Sequence, residues 1–151
     1  MFELIRSMRL DVENGRASAE AFVAADDPLF GDHFPGSPLL PGSLMIELAA
    51  QLSGPLAEEF ARTRMGNERW AILGMVRDAR FLKPVFLPAT LNISTEVARS
   101  DQSSINTNAL VEVDGERVMQ AQLVMMMIES STDLAPAIEA RNNRLARWKA
   151  S

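Results

Sequence analysis

Residues 43–53, SLMIELAAQLS, indicate the type of fold most directly. Their apolar side chains recur at helical spacing, and Glu47 is the only charged residue among them. A helix that is apolar on most sides has to be covered on most sides by the rest of the protein. The sequence therefore predicts a central, buried helix. Because proline cannot donate a backbone hydrogen bond, we expect Gly54-Pro55 to end or kink this helix, and Pro55–Arg64 to form a second, more exposed helical segment.

Most of the remaining chain has the composition and alternation of β-strands. Asn14-Gly15 lies between two alternating runs, Met8–Val12 and Arg16–Val23, which predicts a β-hairpin. Asp114-Gly115 predicts a second tight hairpin later in the chain. Four further runs rich in aliphatic and β-branched residues predict strands: Trp70–Val76, Ala89–Ala98, Ser104–Val113 and Arg117–Ile128. We expect an antiparallel sheet curled around the helix, which is an α+β fold.

The length and composition indicate one domain. A chain of 151 residues with 47% hydrophobic content can bury a core without crosslinks. We expect the domain to span residues 1–130, and residues 131–151 to form a C-terminal helical extension packed on the outside of the sheet. The chain has no cysteine, which excludes disulfides and thiolate metal sites.

The charge and hydropathy of the chain limit the partners and the cellular location that it can have. The net charge of −5 opposes any broad attraction to nucleic acid or to anionic lipid. No run of about 18 uncharged apolar residues predicts a membrane span, and the N-terminus does not resemble a signal peptide. We therefore expect a cytoplasmic protein that binds neither nucleic acid nor a membrane.

A stiff loop precedes the helix and carries the only histidine of the chain, His33. Between Asp26 and Gly42 there are four prolines and further glycines, a density that excludes a regular helix or a central strand. The prolines fix the backbone and the glycines allow close approach, so such a loop can hold an imidazole in one place. A lone histidine is more often structural than catalytic, but this setting favours a catalytic role.

Three residues at the start of the helix complete a candidate active site. Burial of Glu47 would raise its pKa and keep it protonated, as a general acid requires, although a carboxyl group hydrogen-bonded in a dimer interface is the alternative. Gln51 lies one turn later and either orients this carboxyl group or is a packing amide. The backbone N–H of Gly42, at the positive end of the helix, is a natural site for a thioester oxygen.

These residues together resemble the active-site signature of a known family, the bacterial 3-hydroxyacyl-(acyl-carrier-protein) dehydratases. The matching positions are His33-Phe34-Pro35-Gly36, Pro38, Pro41-Gly42, Glu47 and Gln51, and Asp78–Val85 resembles a further strand-and-turn segment of the family. The resemblance implies a hot-dog fold and an active site between the two subunits of at least a homodimer. It also implies a reaction without cofactor or metal, which converts a (3R)-hydroxyacyl thioester to a trans-2-enoyl thioester in fatty-acid or polyene-type biosynthesis.

The resemblance also implies roles for individual residues. His33 abstracts the α-proton, Glu47 protonates the departing β-hydroxyl group, and the Gly42 N–H holds the thioester oxygen. Phe34 and Gln51 belong to the substrate-binding site. A glutamate at position 47 resembles the members that dehydrate without isomerising the double bond.

The implied partner is acyl carrier protein, which is acidic, whereas this chain is acidic overall. Docking therefore requires a local basic patch, and Arg77, Arg80 and Lys83 form a dense basic cluster beside the segment that resembles the family. The alternative is that these three are ordinary solvated surface charges.

Two other functions remain open from the sequence. A hot-dog thioesterase would use a carboxylate against the thioester, but the His33 loop argues against this reading. A catalytically silent subunit would complete a heterodimer with another dehydratase-like chain. The presence of both His33 and Glu47 favours an active enzyme over a silent subunit.

Overall fold

The computed structural model of the protein describes residues 4–28, 36, 38–66, 68–129 and 134–150. These residues form one antiparallel sheet with the strand order β1-β2-β4-β5-β6-β3, together with two helices. The elements in chain order are β1 (Ile5–Asp11), β2 (Arg16–Val23), α1 (Gly42–Met65), β3 (Arg69–Phe81), β4 (Ala89–Ser100), β5 (Ser104–Val113), β6 (Glu116–Glu129) and α2 (Ala135–Ala150). Helix α1 contacts all six strands. The predicted α+β fold, a sheet curled around a central helix, is confirmed.

Both predicted hairpins are present. In the first, Gly15 has a φ of 64° and its N–H donates to the carbonyl oxygen of Val12 at 3.1 Å. In the second, Asp114 and Gly115 both have positive φ, 52° and 78°, the backbone that a tight turn between strands of right-handed twist requires. Local turn chemistry therefore sets the register of β1 with β2 and of β5 with β6.

Of the two outcomes expected at Gly54-Pro55, an end of the central helix is wrong, and a kink stays a prediction. Helix α1 is continuous from Gly42 to Met65 with Pro55 inside it. A proline in a helix interior costs about 3 kcal/mol. Leu56, Ala57 and Ala61 are fully buried, whereas residues 62–64 are exposed, so the second half has a buried face and is more exposed only toward its end. Packing inside the curled sheet outweighs the local cost of the proline.

A chain of three buried hydroxyl groups ties α1 to the sheet. Ser53 on α1 lies 2.9 Å from the Thr95 hydroxyl of β4 and 3.1 Å from the Thr107 hydroxyl of β5, oxygen to oxygen. All three side chains are buried, so each hydroxyl group needs a partner inside the protein. This contact fixes the rotation of α1 and thereby the direction in which Glu47 and Gln51 point.

Helix α2 packs on the same side of the sheet as α1. It contacts β1, its Trp148 is buried, and its Arg141 forms an ion pair with Glu58 of α1. The prediction of a helix on the outside of the sheet is therefore wrong. Leu145 and Trp148 of α2 pack against the hydrophobic core, and α2 lines a cavity together with α1. The division of the chain at residue 130 stays a prediction. Within the described ranges, no helix is long and apolar enough to cross a membrane.

Candidate active site

The start of α1 is held in place by a short backbone pairing. Leu40 donates its N–H to the carbonyl oxygen of Val85 at 2.9 Å, and Leu87 donates to that of Pro38 at 3.0 Å. The segment that leads into the helix is thus fixed to the segment that follows β3. This pairing places the N-terminal end of α1 beside the end of β3.

Gly42 is the first residue of α1, and Phe81 at the end of β3 lies directly against it. A Cβ atom at position 42 would lie 2.7 Å from Cε1 of the Phe81 ring, closer than such atoms approach in proteins. Only glycine therefore fits here while the ring keeps its position. The preceding residue, Pro41, provides no side-chain hydrogen bond to the helix, so the first-turn N–H groups have no side-chain cap. The predicted role of the Gly42 N–H toward a thioester oxygen is compatible with this geometry and stays a prediction.

Glu47 and Gln51 lie one turn apart on α1 and are joined by a hydrogen bond. Nε2 of Gln51 donates to Oε1 of Glu47 at 3.1 Å, and both residues are half-buried. The spacing of four residues brings the two side chains onto one face of the helix. The amide holds one carboxyl oxygen and leaves the other available to a ligand. The carboxyl group is therefore oriented rather than free to rotate.

A cavity of about 210 Å³ adjoins this pair. Its lining comes from α1, β3, β6 and α2, and includes Glu47, Gln51, Leu73, Met125, Arg144 and Trp148. The walls are mostly apolar, while the charged groups lie at α1 and α2. Such a cavity suits an acyl chain whose reacting end lies at Glu47. Among the described residues, no group of three or more histidine, aspartate or glutamate side chains could hold a metal ion.

The other two predicted site residues in this region, His33 and Phe34, lie outside the described residues. Their predicted roles therefore stay predictions. The described chain resumes with Gly36 and Pro38, just before the pairing that fixes the start of α1.

The predicted docking residues Arg77, Arg80 and Lys83 are all exposed at the end of β3. A bulge sets Arg77 opposite Gln122 and Arg80 opposite Gln120. Because these two glutamines alternate with buried residues of β6, both arginines lie on the outer face of the sheet.

Two of the three basic residues have carboxylate partners. Nε of Arg80 lies 3.1 Å from Oδ1 of Asp78, and Lys83 forms an ion pair with Glu116. Exposed pairs of this kind are weak, so an acidic partner can replace the internal carboxylate at little cost.

Sequence reasoning missed a charged cluster at the junction of α1, β3 and α2. Arg141 of α2 forms an ion pair with Glu58 of α1, and its guanidinium lies 4.6 Å from the centre of the Trp70 ring. The cluster borders a cavity of about 320 Å³. Burial raises the pKa of Glu58 to about 7, although the charge of Arg141 acts in the opposite direction. The signal in the sequence was that Arg141, Leu145 and Trp148 share one helical stripe.

The raised pKa of Glu58 predicts a pH-dependent stability. In the unfolded chain Glu58 ionises near pH 4.5, whereas in the folded protein it keeps its proton until about pH 7. The folded state is therefore favoured at low pH and loses this advantage as the pH rises through 7. Between pH 5 and pH 8 the wild type should lose roughly 2 to 3 kcal/mol more unfolding free energy than Glu58→Gln.

Urea denaturation at several pH values measures this difference. Glu96→Gln is the matched control, because Glu96 is an exposed carboxylate of β4 that pairs with Arg16 at the surface. It should keep the wild-type slope of stability against pH. An unchanged slope in Glu58→Gln would show that Glu58 ionises normally in the folded protein.

Comparison with known proteins identifies the family. The family model described as FabA-like domain matches residues 1–122. The protein belongs to the FabA-like family. A Myxococcus xanthus relative is 33% identical over 113 residues, which cover 75% of this chain and 73% of the relative. A Mannheimia succiniciproducens relative is 34% identical over 116 residues, 76% of each chain. Both relatives are named 3-hydroxyacyl-(acyl-carrier-protein) dehydratase FabZ. The family predicted from the sequence is confirmed.

Solved structures confirm the fold of this FabA-like protein. A chain of the dehydratase heterocomplex ApeI:P from Xenorhabdus doucetiae superimposes with a TM-score of 0.65 at 17% identity, covering 89% of this chain and 88% of its own. A Streptococcus mutans protein bound to acetyl CoA superimposes with a TM-score of 0.67 at 16% identity, covering 87% and 94%. At such low identity these similarities show the fold alone, and that fold is the predicted hot dog.

Proposed function

We propose that the protein removes water from 3-hydroxyacyl thioesters carried on acyl carrier protein, with Glu47 as the general acid and His33 as the general base. The observation that carries this proposal is the Glu47 carboxyl group, held by Gln51 in the wall of an acyl-sized cavity. Membership of the FabA-like family supports it, because the matched residues include the whole segment from His33 to Gln51. The names of the two relatives supply the reaction and the carrier.

The proposed reaction needs one base, one acid and one oxyanion donor. His33 takes the proton from the carbon next to the thioester, and the electron pair of that C–H bond forms the new double bond. The bond between the β-carbon and its hydroxyl group breaks, and Glu47 protonates the departing oxygen so that it leaves as water. Negative charge develops on the thioester oxygen, which the Gly42 N–H stabilises at the positive end of α1. The products are water and a 2-enoyl thioester.

A single incubation tests the proposed reaction. The purified protein is mixed with a 3-hydroxyacyl thioester of acyl carrier protein, and the carrier is weighed by mass spectrometry. Loss of one water from the acyl group is the expected result. Loss of the whole acyl group would show a thioesterase instead. An unchanged mass in the absence of a second chain would indicate the silent subunit.

We propose that the working unit contains two copies of the chain joined along β3. This strand pairs with β6 on one side only, and among the described residues its other edge faces no strand. It is 13 residues long and exposes large apolar side chains, including Ile72, Met75 and Val76. A long, apolar, unpaired edge strand readily pairs with a second strand. Two β3 strands pairing across a twofold axis would join the two sheets and cover these side chains.

Sedimentation of the purified protein measures the assembly directly. A species of twice the mass of one chain is the expected result, and a monomer at micromolar concentration would contradict it. We also propose a cytoplasmic location, because a chain without cysteine suits a reducing compartment.

Acyl carrier protein is proposed to dock on the outer face near Arg77, Arg80 and Lys83. Reversing the charges at Arg77 and Lys83 should lower kcat/KM for a carrier-protein substrate by about tenfold or more at low salt. The same acyl group on pantetheine should react as it does with the wild type. Steering should also fade with salt, because the Debye length falls from about 10 Å at 0.1 M to about 3 Å at 1 M.

The matched control for docking is Arg16→Glu. Arg16 lies on β2, is exposed, and pairs with Glu96, so its replacement leaves the proposed patch intact. Arg16→Glu changes the net charge by the same amount as each single charge reversal at Arg77 or Lys83. It should leave both substrates unaffected. Equal losses on the carrier and pantetheine substrates in the Arg77 and Lys83 variants would place these residues in the fold or the active site.

A further inference from the structure

The cavity beside Glu47 and the cavity beside Glu58 lie against the same side of α1. Glu47 and Gln51 line the first cavity, Glu58 and Arg62 line the second, and Pro55 lines both. These five positions follow one another at steps of three or four residues, so they form one stripe along the helix. The two cavities are therefore neighbouring parts of one groove, which runs along α1 and is lined by α2 on its other side.

Arg141 of α2 separates the two cavities. It lines both of them, as Pro55 does on the opposite wall. Its guanidinium forms an ion pair with Glu58 and lies 4.6 Å from the centre of the Trp70 ring, so contacts with α1 and β3 hold it across the groove. The side chain of Arg141 is 20% exposed and that of Glu58 is 10% exposed, so the pair is largely withdrawn from water. A side chain held from two sides in this way is a fixed wall of the groove.

The two sides of this wall differ in chemistry. On the Glu47 side, Leu73, Met125 and Trp148 offer an apolar surface to an alkyl chain. Beyond Arg141, charged side chains surround the second cavity, including Glu59, Arg62, Glu68, Arg69 and Lys149. An alkyl chain gains free energy where it leaves water for an apolar surface. Carbon atoms beyond Arg141 would have to break a buried ion pair or stay in water, so they would gain nothing.

We propose that Arg141 sets the upper limit of the acyl chain length that this protein uses efficiently. This inference rests on the proposed dehydratase function and assigns its substrate class. The reacting end of the acyl chain lies at Glu47, and the chain extends along α1 toward Arg141. The cavity is open to solvent on one side, so the limit comes from the burial that is lost beyond Arg141 and not from a closed volume.

The length of the apolar part of the groove follows from helix geometry. Glu47 and Pro55 are eight residues apart, which is about 12 Å along α1 at about 1.5 Å per residue. An extended alkyl chain, whose bonds of about 1.5 Å zigzag, covers this distance with about nine or ten bonds. Because the β-carbon lies at Glu47, acyl chains of up to about 12 carbon atoms end before Arg141.

Three thioesters of acyl carrier protein test the limit: 3-hydroxyoctanoyl, 3-hydroxydodecanoyl and 3-hydroxyhexadecanoyl. The wild type should have a higher kcat/KM on the dodecanoyl than on the octanoyl substrate, since each methylene group that leaves water contributes a factor of up to about four. The hexadecanoyl substrate should gain nothing further. The ratio of kcat/KM on the hexadecanoyl substrate to that on the dodecanoyl substrate is the decisive quantity, because it does not depend on the fraction of the enzyme that is folded.

The double variant Arg141→Ala with Glu58→Gln removes the wall without leaving a buried carboxylate unpaired. It should raise this ratio by about tenfold or more, because the groove then continues past Pro55. Glu58→Gln alone removes the counter-charge that holds Arg141 and should raise the ratio by a smaller factor, which keeps the test decisive if the double variant does not fold. The control is Arg147→Ala, which removes an arginine side chain from an exposed position of the same helix and should keep the wild-type ratio.

The outcomes separate this inference from the proposed function. A wild type whose kcat/KM rises as steeply from the dodecanoyl to the hexadecanoyl substrate as it does before, or variants with an unchanged ratio, would overturn the role of Arg141 while the dehydratase function stands. If the wild type dehydrates none of the three substrates, the proposed function fails, and calorimetric binding of dodecanoyl and hexadecanoyl coenzyme A decides the role of Arg141. A rise of about tenfold in the relative affinity for the hexadecanoyl compound in the double variant supports the limit, and an unchanged relative affinity overturns it.

Discussion

Replacing Glu47 with glutamine is expected to lower kcat for dehydration by about two to four orders of magnitude. The amide keeps the shape of the side chain, and its carbonyl oxygen can still accept the hydrogen bond from Nε2 of Gln51. It cannot deliver an acidic proton to the departing hydroxyl group. The stability of the fold should therefore persist while the chemistry is lost. Turnover of one 3-hydroxyacyl substrate and urea denaturation, measured on the same preparation, separate the two effects.

The control for this change is Glu59→Gln, which removes a carboxylate from the surface of the same helix. It should retain wild-type turnover. A Glu47→Gln variant that keeps more than about a tenth of the activity would remove Glu47 from the role of acid, since general acid catalysis accounts for at least about a hundredfold. Loss of activity together with a large loss of stability would instead indicate a structural role.

Most of the fold could be predicted from patterns among residues that lie close together in the chain. The helical spacing of Leu44, Leu48 and Leu52 predicts the buried helix, and all three side chains are buried in the structure. The turn residues at Asn14-Gly15 and Asp114-Gly115 predict both hairpins, because positive φ is a local requirement. Periodicity and turn chemistry act over a few residues. Helices and hairpins can therefore be predicted without knowing which elements pack against each other.

Features that depend on distant contacts could not be predicted in the same way. Pro55 breaks a helix by local rules, but the curled sheet covers both halves of α1 and keeps it continuous. The position of α2 depends on its contacts with β1 and α1, which no short pattern reveals. The same holds for the charged residues of α2. Arg141 and Arg144 look like solvated charges in the sequence, and only the fold brings them against Glu58 and the cavity.

The candidate active site was predictable to a similar extent. A spacing of four residues predicts that Glu47 and Gln51 share a face of α1, and the structure joins them by a hydrogen bond. The closeness of Phe81 to Gly42 was not predictable, because it depends on the pairing that brings the end of β3 to the start of α1.

Replacing His33 with alanine is expected to lower kcat by about two to four orders of magnitude, because it removes the proposed general base. His33 is the only histidine of the chain, so no other imidazole can replace it. A residue of a proline-rich loop contributes chemistry rather than core packing, and the free energy of unfolding should stay within about 0.5 kcal/mol of wild type. A stable variant with retained activity, or a large loss of stability, would contradict the assignment.

Mixing the two inactive variants tests whether His33 and Glu47 of different subunits form one active site. A hybrid dimer of His33→Ala with Glu47→Gln contains one site with both residues intact, provided that the site is shared between subunits. Statistical exchange makes half of the dimers hybrid, and each has one of its two sites intact, so about a quarter of the wild-type activity should return. Two copies joined along β3 bring the α1 helices to the same side of a continuous sheet, which is the geometry that sharing requires. Subunit exchange is followed with a mass-tagged chain. Complete exchange without recovered activity would place His33 and Glu47 in the same subunit.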